Sequence, residues 1–339
     1  MATTIYDVAR HAGVSPRTVS NVVNGYVHVS DEMRTRVKRS IDALGYRPNL
    51  LARGLRSGKT GIITLALPEL AVPYFSELSS AIITSLASRD YTVNVRQTDG
   101  SAEAERRLLR EREHPRMFDG LIFSPLGISW EELSEAVHSS PQPMVLLGEQ
   151  VEEGTVDHVF VDNVAASADA TEHLLSLGRR RVAAIGSQPT AGNKTAELRV
   201  TGYRQALGSA GIRPDPRLIV DADVYHREAG FAAMRSLLDS GAVPDAVFCF
   251  NDLLAIGAMR AILLAGLRVP EDIAVVGFDG IDEGGFATPS LTTIAPDKGA
   301  IARLAVDRLL ARIDGEELPA SSIQAPYRLI VRESTNGRP

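Results

Sequence analysis

Ile5–Gly25 reads IYDVARHAGVSPRTVSNVVNG, and its order of caps, apolar stripes and turn residues decides how the chain begins. Thr4 stands as a cap ahead of Ile5, and Val8, Ala9 and Ala12 recur at helical spacing. Gly13 stops this helix and supplies the positive φ of a turn. Ser15 caps a second helix with Pro16 at its first position, where a missing N–H costs nothing. Val19, Val22 and Val23 face inward, which leaves Arg17, Thr18, Ser20, Asn21 and Asn24 on the outer face. Ser30 then caps a third helix with the stripe Met33, Val37, Ile41 and Leu44, and Gly45 ends it. Two helices around a tight turn, braced by a third, predict an all-α helix-turn-helix headpiece, whose second helix enters the DNA major groove.

Charge supports the same division. Residues 1–60 hold ten Lys/Arg against four Asp/Glu, net +6, whereas the whole chain has 36 against 42, net −6, so the remainder carries −12. A basic head on an acidic body is the electrostatic footprint of a nucleic-acid reader that keeps DNA off its other surfaces.

From residue 61 onward, strand-like and helix-like segments alternate. Ile62–Leu67, Tyr91–Arg96, Leu121–Ser124, Met144–Leu147 and Val159–Asp162 read as strands, separated by the helical stretches Tyr74–Arg89, Ala102–Arg112 and Trp130–Val137. Ala165–Leu177, Ala196–Ala210, Glu228–Asp239 and Leu253–Ala265 read as further helices. Among them stand the strands Val182–Ile185, Leu218–Asp221, Ala246–Phe250 and Ala274–Phe278. This βαβ alternation predicts α/β architecture with mostly parallel sheets. Its length suits two doubly wound subdomains with a cleft between them, where ligands meet the carboxyl ends of the strands.

The headpiece residues Asp7-Val8-Ala9, Ala12-Gly13-Val14-Ser15, Thr18-Val19-Ser20, Val23-Asn24-Gly25 and Gly45-Tyr46-Arg47-Pro48-Asn49 carry a resemblance to the LacI/GalR family of bacterial transcription regulators. The match is dense over residues 1–60 and continues more weakly to the C-terminus. It implies a headpiece at 1–47, a hinge helix and linker at 48–60, and a periplasmic-binding-protein-like effector-binding and dimerisation domain at 61–339. Within the last, the expected N-subdomain is 61–161 plus 293–321 and the C-subdomain 162–292 plus 322–339. DNA contact is implied for Thr4, Tyr6, Ser15, Pro16, Arg17, Thr18, Ser20, Asn21 and Asn24, and in the hinge for Asn49, Ala52, Arg53 and Leu55. Leu55 would wedge into the minor groove; without the resemblance, Asn49–Arg56 (NLLARGLR) reads better as an ordinary linker than as a hinge helix. The family usually has Arg where this chain has Asn21, and Asn favours adenine where Arg favours guanine.

Candidate cleft residues follow the strand ends. The resemblance implies effector contacts from Phe75, Asp162, Arg199, Asn251 and Asp279, and less firmly from Tyr225. Tyr74 and Asp99 join them on position and chemistry, and Thr195 joins them because, with Tyr74-Phe75, it resembles the purine-responsive branch of the family. Each Asp or Asn could instead cap the helix after it, and Asp252 is expected to do so; Tyr74 and Phe75 could be core. Gly280 replaces a polar residue that many members have, which predicts one ligand hydrogen bond fewer. Carboxylates, Arg, Asn and aromatic faces suit polyhydroxylated sugars. A nucleobase is the alternative, with Asn193 standing where the purine-responsive branch has Arg.

Other chemistry finds little support. Gly58-Lys59-Thr60 ends like a phosphate loop, but Arg53 occupies the leading glycine position and an apolar strand follows rather than precedes it. A single cysteine, Cys249, gives no internal disulfide framework, and the seven His lack metal-ligand spacing. No nucleophile elbow or dinucleotide fingerprint is present, so neither catalysis nor a cofactor is expected. Met1-Ala2-Thr3-Thr4 does not read as an export signal and no run is long enough to span a membrane, so the expected location is cytoplasmic. The expected partners are operator DNA, a small effector and a second copy of the chain, with a higher oligomer also allowed. The rival readings are an enzyme with a DNA-binding head and a solute-binding module.

Overall fold

The computed structural model describes residues 3–23, 26, 28–46, 59–112, 117–140, 142–149, 155–189 and 194–336. The expectations for Asn24, Asn49, Ala52, Arg53, Leu55 and Asn193 fall outside these residues. The chain divides into two compact units, Met1–Gly61 and Ile62–Pro339.

In the first unit, α1 (Ile5–Ala12), α2 (Pro16–Val23) and α3 (Asp31–Leu44) follow the caps read from the sequence. The Asp7 N–H donates to Thr4 Oγ1 at 3.3 Å while Thr4 N–H donates back to Asp7 Oδ2 at 2.9 Å, closing a capping box. Gly13 takes the left-handed conformation at φ 63°, as the turn requires. At α2, Thr18 N–H donates to Ser15 Oγ at 3.1 Å. Val8, Ala9, Ala12, Val19, Val22 and Val37 form the small core. Met33 departs from its expected place in the stripe: it lies outside that cluster, and its sulfur accepts from Arg36 at 3.2 Å.

The second unit holds two six-stranded sheets. The first lobe contains β1 (Ile62–Leu67), β2 (Thr92–Gln97), β3 (Gly120–Phe123), β4 (Met144–Leu147) and β5 (Asp157–Phe160), with α4 (Pro73–Ala87), α5 (Ala102–Glu111) and α6 (Trp130–Ser139) between them. The second lobe begins with α7 (Asn163–Ser176), β6 (Val182–Ser187), α8 (Lys194–Ser209) and β7 (Ile219–Asp221). It continues through α9 (Arg227–Asp239), β8 (Ala246–Cys249), α10 (Asp252–Leu264), β9 (Ala274–Phe278), α11 (Asp282–Phe286) and β10 (Thr292–Pro296). The chain then returns as α12 (Lys298–Ile313) and β11 (Ser322–Gln324) before ending in β12 (Tyr327–Ile330) and α13 (Glu333–Asn336). Sheet orders are β11-β5-β4-β3-β1-β2 and β12-β10-β9-β8-β6-β7. All pairings are parallel except β10 with β12.

Both late crossovers fall later than the sequence suggested. Thr292 pairs with Val276 of β9, so 293–296 stays with the second lobe and the return comes at Asp297. Ser322 pairs with His158 of β5, so 322–324 belongs to the first lobe. The physical reason is that a strand joins whichever sheet edge satisfies its N–H and C=O groups, and that edge is far away in sequence. Asp157, buried at the end of the first sheet, fixes this return: it accepts from Arg312 Nε at 2.8 Å and from the Ser321 N–H at 2.9 Å.

The second lobe packs its outer helices through glycine. Gly230 of α9 and Gly257 of α10 face each other's backbone so closely that a Cβ at either would strike a main-chain carbonyl.

Candidate functional site

A cavity of about 500 Å³ lies between the carboxyl ends of the two sheets. From the first lobe it takes Tyr74 and Phe75 after β1, Asp99 after β2, Leu126 and Gly127 after β3, and Glu149 after β4. From the second it takes Asn163, Thr195, Arg199, Tyr225, His226, Asn251 and Asp279. This is where parallel α/β sheets place ligands, because loops at that edge can carry any side chain without disturbing the strands.

Arg199 is the hub of the second-lobe wall. It is 7% exposed, its Nε donates to Asn163 Oδ1 at 2.7 Å, and its Nη1 donates to the Phe250 carbonyl. Its guanidinium stacks over the Phe278 ring at 3.6 Å. Asn163 in turn donates to Glu149 Oε1 at 2.6 Å, and Thr195 Oγ1 donates to Glu149 Oε2 at 2.7 Å, so this network crosses between the lobes.

Asp279 sits on a shaped turn. Its φ of 116° is unusual for a non-glycine residue, and the turn is held from every side. Asp279 N–H donates to the Ile294 carbonyl at 2.8 Å, Gly280 N–H to Thr293 Oγ1 at 3.2 Å, and Ile281 N–H to Asp252 Oδ2 at 2.9 Å. Lys298 Nζ caps the Asp279 and Gly280 carbonyls at 2.6 and 2.9 Å. Burial pushes the Asp279 carboxyl up to about 7, against the pull of Arg199 and Lys298. Gly280 is explained by space: a Cβ there would strike Ala295.

The aromatic residues occupy the first-lobe rim. Tyr74 and Phe75 meet edge to face with ring centroids 5.3 Å apart, and both line the cavity while packing on the core. Across from them Tyr225 donates its hydroxyl to the Gly186 carbonyl at 2.7 Å. Burial raises the hydroxyl pKa of both Tyr74 and Tyr225 above the ordinary value, so they stay neutral donors.

The structure gathers Tyr74, Phe75, Asp99, Thr195, Arg199, Tyr225, Asn251 and Asp279 around one cavity. Asp162 is not among them: its Oδ1 accepts from the Ala165 N–H at 2.9 Å as the cap of α7, and the neighbouring Asn163 takes the place in the wall. Asn251 lines the cavity, but its amide is occupied, capping α10 through Leu254 N–H at 2.8 Å and donating to the Tyr225 carbonyl at 3.0 Å. Asp252, expected as the cap, is instead fully buried and accepts from Thr293 Oγ1 at 2.6 Å. Its carboxyl is pushed well up by burial and by Asp279.

Sequence reading missed Glu69, Glu149 and His226, whereas Asn163 stood beside Asp162 among the residues that follow a strand end. Glu149 follows β4 by two residues, the same signal that singled out Asp99. Glu105 carried no such signal. It is fully buried on α5, and its carboxylate accepts the N–H groups of Leu126, Gly127 and Ile128 at 2.9, 3.0 and 2.8 Å, fixing the cavity wall after β3. Among the described residues no group of His, Cys, Asp and Glu is arranged to hold a metal ion.

In the headpiece, Tyr6 is 66% exposed and Arg17 is exposed at the start of α2, with Pro16, Thr18, Ser20 and Asn21 partly exposed beside it. Ser15 and Thr4 are tied into caps, where they can still offer an oxygen or backbone amide outward.

A helix-turn-helix unit and a two-lobed body with a polar cleft define a class: DNA-binding regulators with a ligand-binding core. Residues 4–49 match the family of bacterial regulatory proteins of lacI type, and residues 171–335 match the periplasmic binding protein-like domain. The chain is 33% identical over 338 residues to the HTH-type transcriptional repressor CytR of Escherichia coli strain K12, covering 100% of this chain and 98% of that one. It is also 33% identical to the ribose operon repressor of Halalkalibacterium halodurans, over 99% and 98% of the two chains. A lac repressor dimer bound to operator and the anti-inducer ONPF superimposes with a TM-score of 0.88 at 30% identity, over 99% of each chain. The chain belongs to the LacI family of bacterial transcription regulators, and its relatives are DNA-binding regulators rather than enzymes.

Proposed function

We propose that this protein is a repressor of carbohydrate-metabolism genes whose grip on a near-palindromic operator is set by a small polyhydroxylated effector in the cleft. The observation that carries the reading is the joining, around one cavity, of a pre-oriented Arg199, Asn163 and Asp279 from the second lobe with Glu149 and the aromatic pair Tyr74 and Phe75 from the first. Sugars need donors and acceptors arranged together with an apolar face to stack on, and such a lining offers both. The relative named as a ribose operon repressor points to the same class.

The contacts between the lobes supply a two-state element. Glu69 Oε2 and His226 Nε2 are 3.0 Å apart, Thr195 reaches Glu149, and Asp282 N–H donates to Glu77 Oε1 at 3.1 Å. These polar contacts lie beside an apolar cluster of Val72, Leu253 and Ile281 that also bridges the lobes, so a ligand that bonds both lobes shifts their angle. Coupling of this kind is worth about 1–3 kcal/mol, or roughly 5–150-fold in DNA affinity. The protein works as a cytoplasmic homodimer, since a two-fold operator needs two headpieces. Among the described residues no helix is long and apolar enough to cross a membrane. Following the family resemblance, a hinge over 48–60 with Leu55 as the wedge transmits the lobe angle.

Footprinting on the region upstream of the protein's own gene, with and without sugars that raise its melting temperature, tests the reading. A salt-sensitive protected palindrome whose occupancy changes with a sugar is expected. Absence of specific protection, or protection indifferent to every sugar that binds, overturns it.

A further inference from the structure

The cavity has a charge as well as a shape. Glu69, Asp99, Glu149, Asp223 and Asp279 all line it, against Arg199 and His226 as the basic side chains among its described residues. Each of the latter stands beside a carboxyl of the same cavity. Arg199, which also donates to Asn163 and the Phe250 carbonyl and stacks on the Phe278 ring, acts on the Asp279 carboxyl, and His226 faces Glu69 at 3.0 Å. Lys298, behind the wall, is held by Glu77 at 3.0 Å and by two backbone carbonyls.

Asp279 adds an independent sign of what the site is built to meet. It is 8% exposed, lines the cavity, and accepts no hydrogen bond at its carboxyl oxygens from any described residue. A buried polar group without a protein partner is costly unless something outside the protein completes it. The group that completes a carboxyl is a donor, either a hydroxyl or an ammonium.

We infer that the effector is uncharged or cationic, and that the cavity rejects phosphorylated and carboxylated forms of the same ligand. This rests on the polyol reading of the cleft and narrows it by charge. Carboxylates on both lobes repel an anion wherever it docks, and the low effective dielectric of a partly closed cleft strengthens that repulsion. A hydroxylated or aminated ligand instead donates to Asp279 and to the free lone pairs of Glu149.

Titration calorimetry on the full-length protein with matched pairs tests this: ribose and ribose 5-phosphate, glucose and glucose 6-phosphate, adenosine and AMP, with glucosamine as the cationic member. Whichever compound binds should do so at least about a hundredfold more tightly than its phosphate. In the Glu69→Gln, Asp223→Asn double variant that gap should narrow at least tenfold. A phosphorylated member that binds as tightly as its parent overturns the inference and assigns the anion to the start of α4, which has no side-chain cap. A gap unmoved in the double variant also overturns it, since the discrimination would then be steric. Failure of every pair, with operator binding intact, overturns the polyol reading of the cleft and this inference with it.

Discussion

The two walls of the cleft are built differently. On the second lobe the polar side chains are buried and already bonded: Asn163, Arg199, Asn251 and Asp279 are 2%, 7%, 3% and 8% exposed. All but Asp279 spend their side chains on protein groups. On the first lobe Glu69, Tyr74, Phe75 and Glu149 are half-buried, and Asp99 is exposed. The difference teaches which half recognises and which half closes. A wall whose donors and acceptors are oriented in advance loses little entropy on binding, and the looser wall gains its order from the ligand.

Removing Arg199 breaks this contrast at its strongest point. Arg199→Ala leaves Asn163 and the Phe250 carbonyl without their donor and Asp279 without its nearest compensating charge. Breaking a buried charged network costs about 3–5 kcal/mol, and a fall in melting temperature of about 10 °C is expected. Sugar binding should vanish while the headpiece, a separate unit, keeps its helical signal. A ligand that stabilises this variant as much as it stabilises the wild type would show that the second lobe is not the recognising wall.

The Asp279 carboxyl sharpens the comparison through pH. Its folded-state pKa of about 7 lies above the ordinary 3.8 because burial disfavours the charge. Below about pH 4 the carboxyl is protonated in both states and contributes nothing. As pH rises to about 7 the unfolded chain ionises first, so folded-state stability is lost across that window. The advantage of Asp279→Asn over wild type should therefore grow between pH 4 and 8, by up to about 4 kcal/mol. Thermal unfolding at several pH values measures it, and a constant difference would remove the buried carboxyl from the account.

The smallest effect is expected on the looser wall. Phe75→Ala should weaken sugar affinity by roughly tenfold, the loss of one stacking face. Its melting temperature should fall by less than a third of the drop in Arg199→Ala. Equal losses in the two variants would erase the distinction between a recognising and a closing wall.

The headpiece was legible because its signals are local. Thr4 with Asp7, Gly13, Ser15 with Pro16, and Ser30 each act within one helical turn, and the boundaries of α1 and α2 follow from them. Most strands of the body were equally legible, since β4 and β9 are uninterrupted apolar runs and β1 is broken only by Thr64. The last sixty residues were harder. The strands β11 and β12 are three and four residues long and only partly buried, so no strong period marks them. The site was read from polar residues after strand ends and from the family resemblance; the first pointed to Asp99, Asn251 and Asp279, and the second tipped Asn251 and Asp279 from caps to ligand contacts. The first could equally have found Glu149, but it could not separate a cap from a ligand contact. Asn251 and Asp252 are adjacent, and either could cap α10. Asn251 does so because Asp252 is drawn into bonds with Ile281 and Thr293, which arrive from the other end of the lobe.

By itself the sequence determined the helix-turn-helix and the α/β alternation, because each is written in periods and caps that act over a few residues, and its headpiece motifs carried the resemblance to the family. Tertiary structure alone decided which lobe the last strands join and which carboxylates face the cleft. It also decided that Glu105, on a charged-looking helix, is buried beneath the cavity wall. Those outcomes depend on hydrogen-bond partners tens of residues away, and no local pattern encodes where a distant backbone will offer its N–H groups.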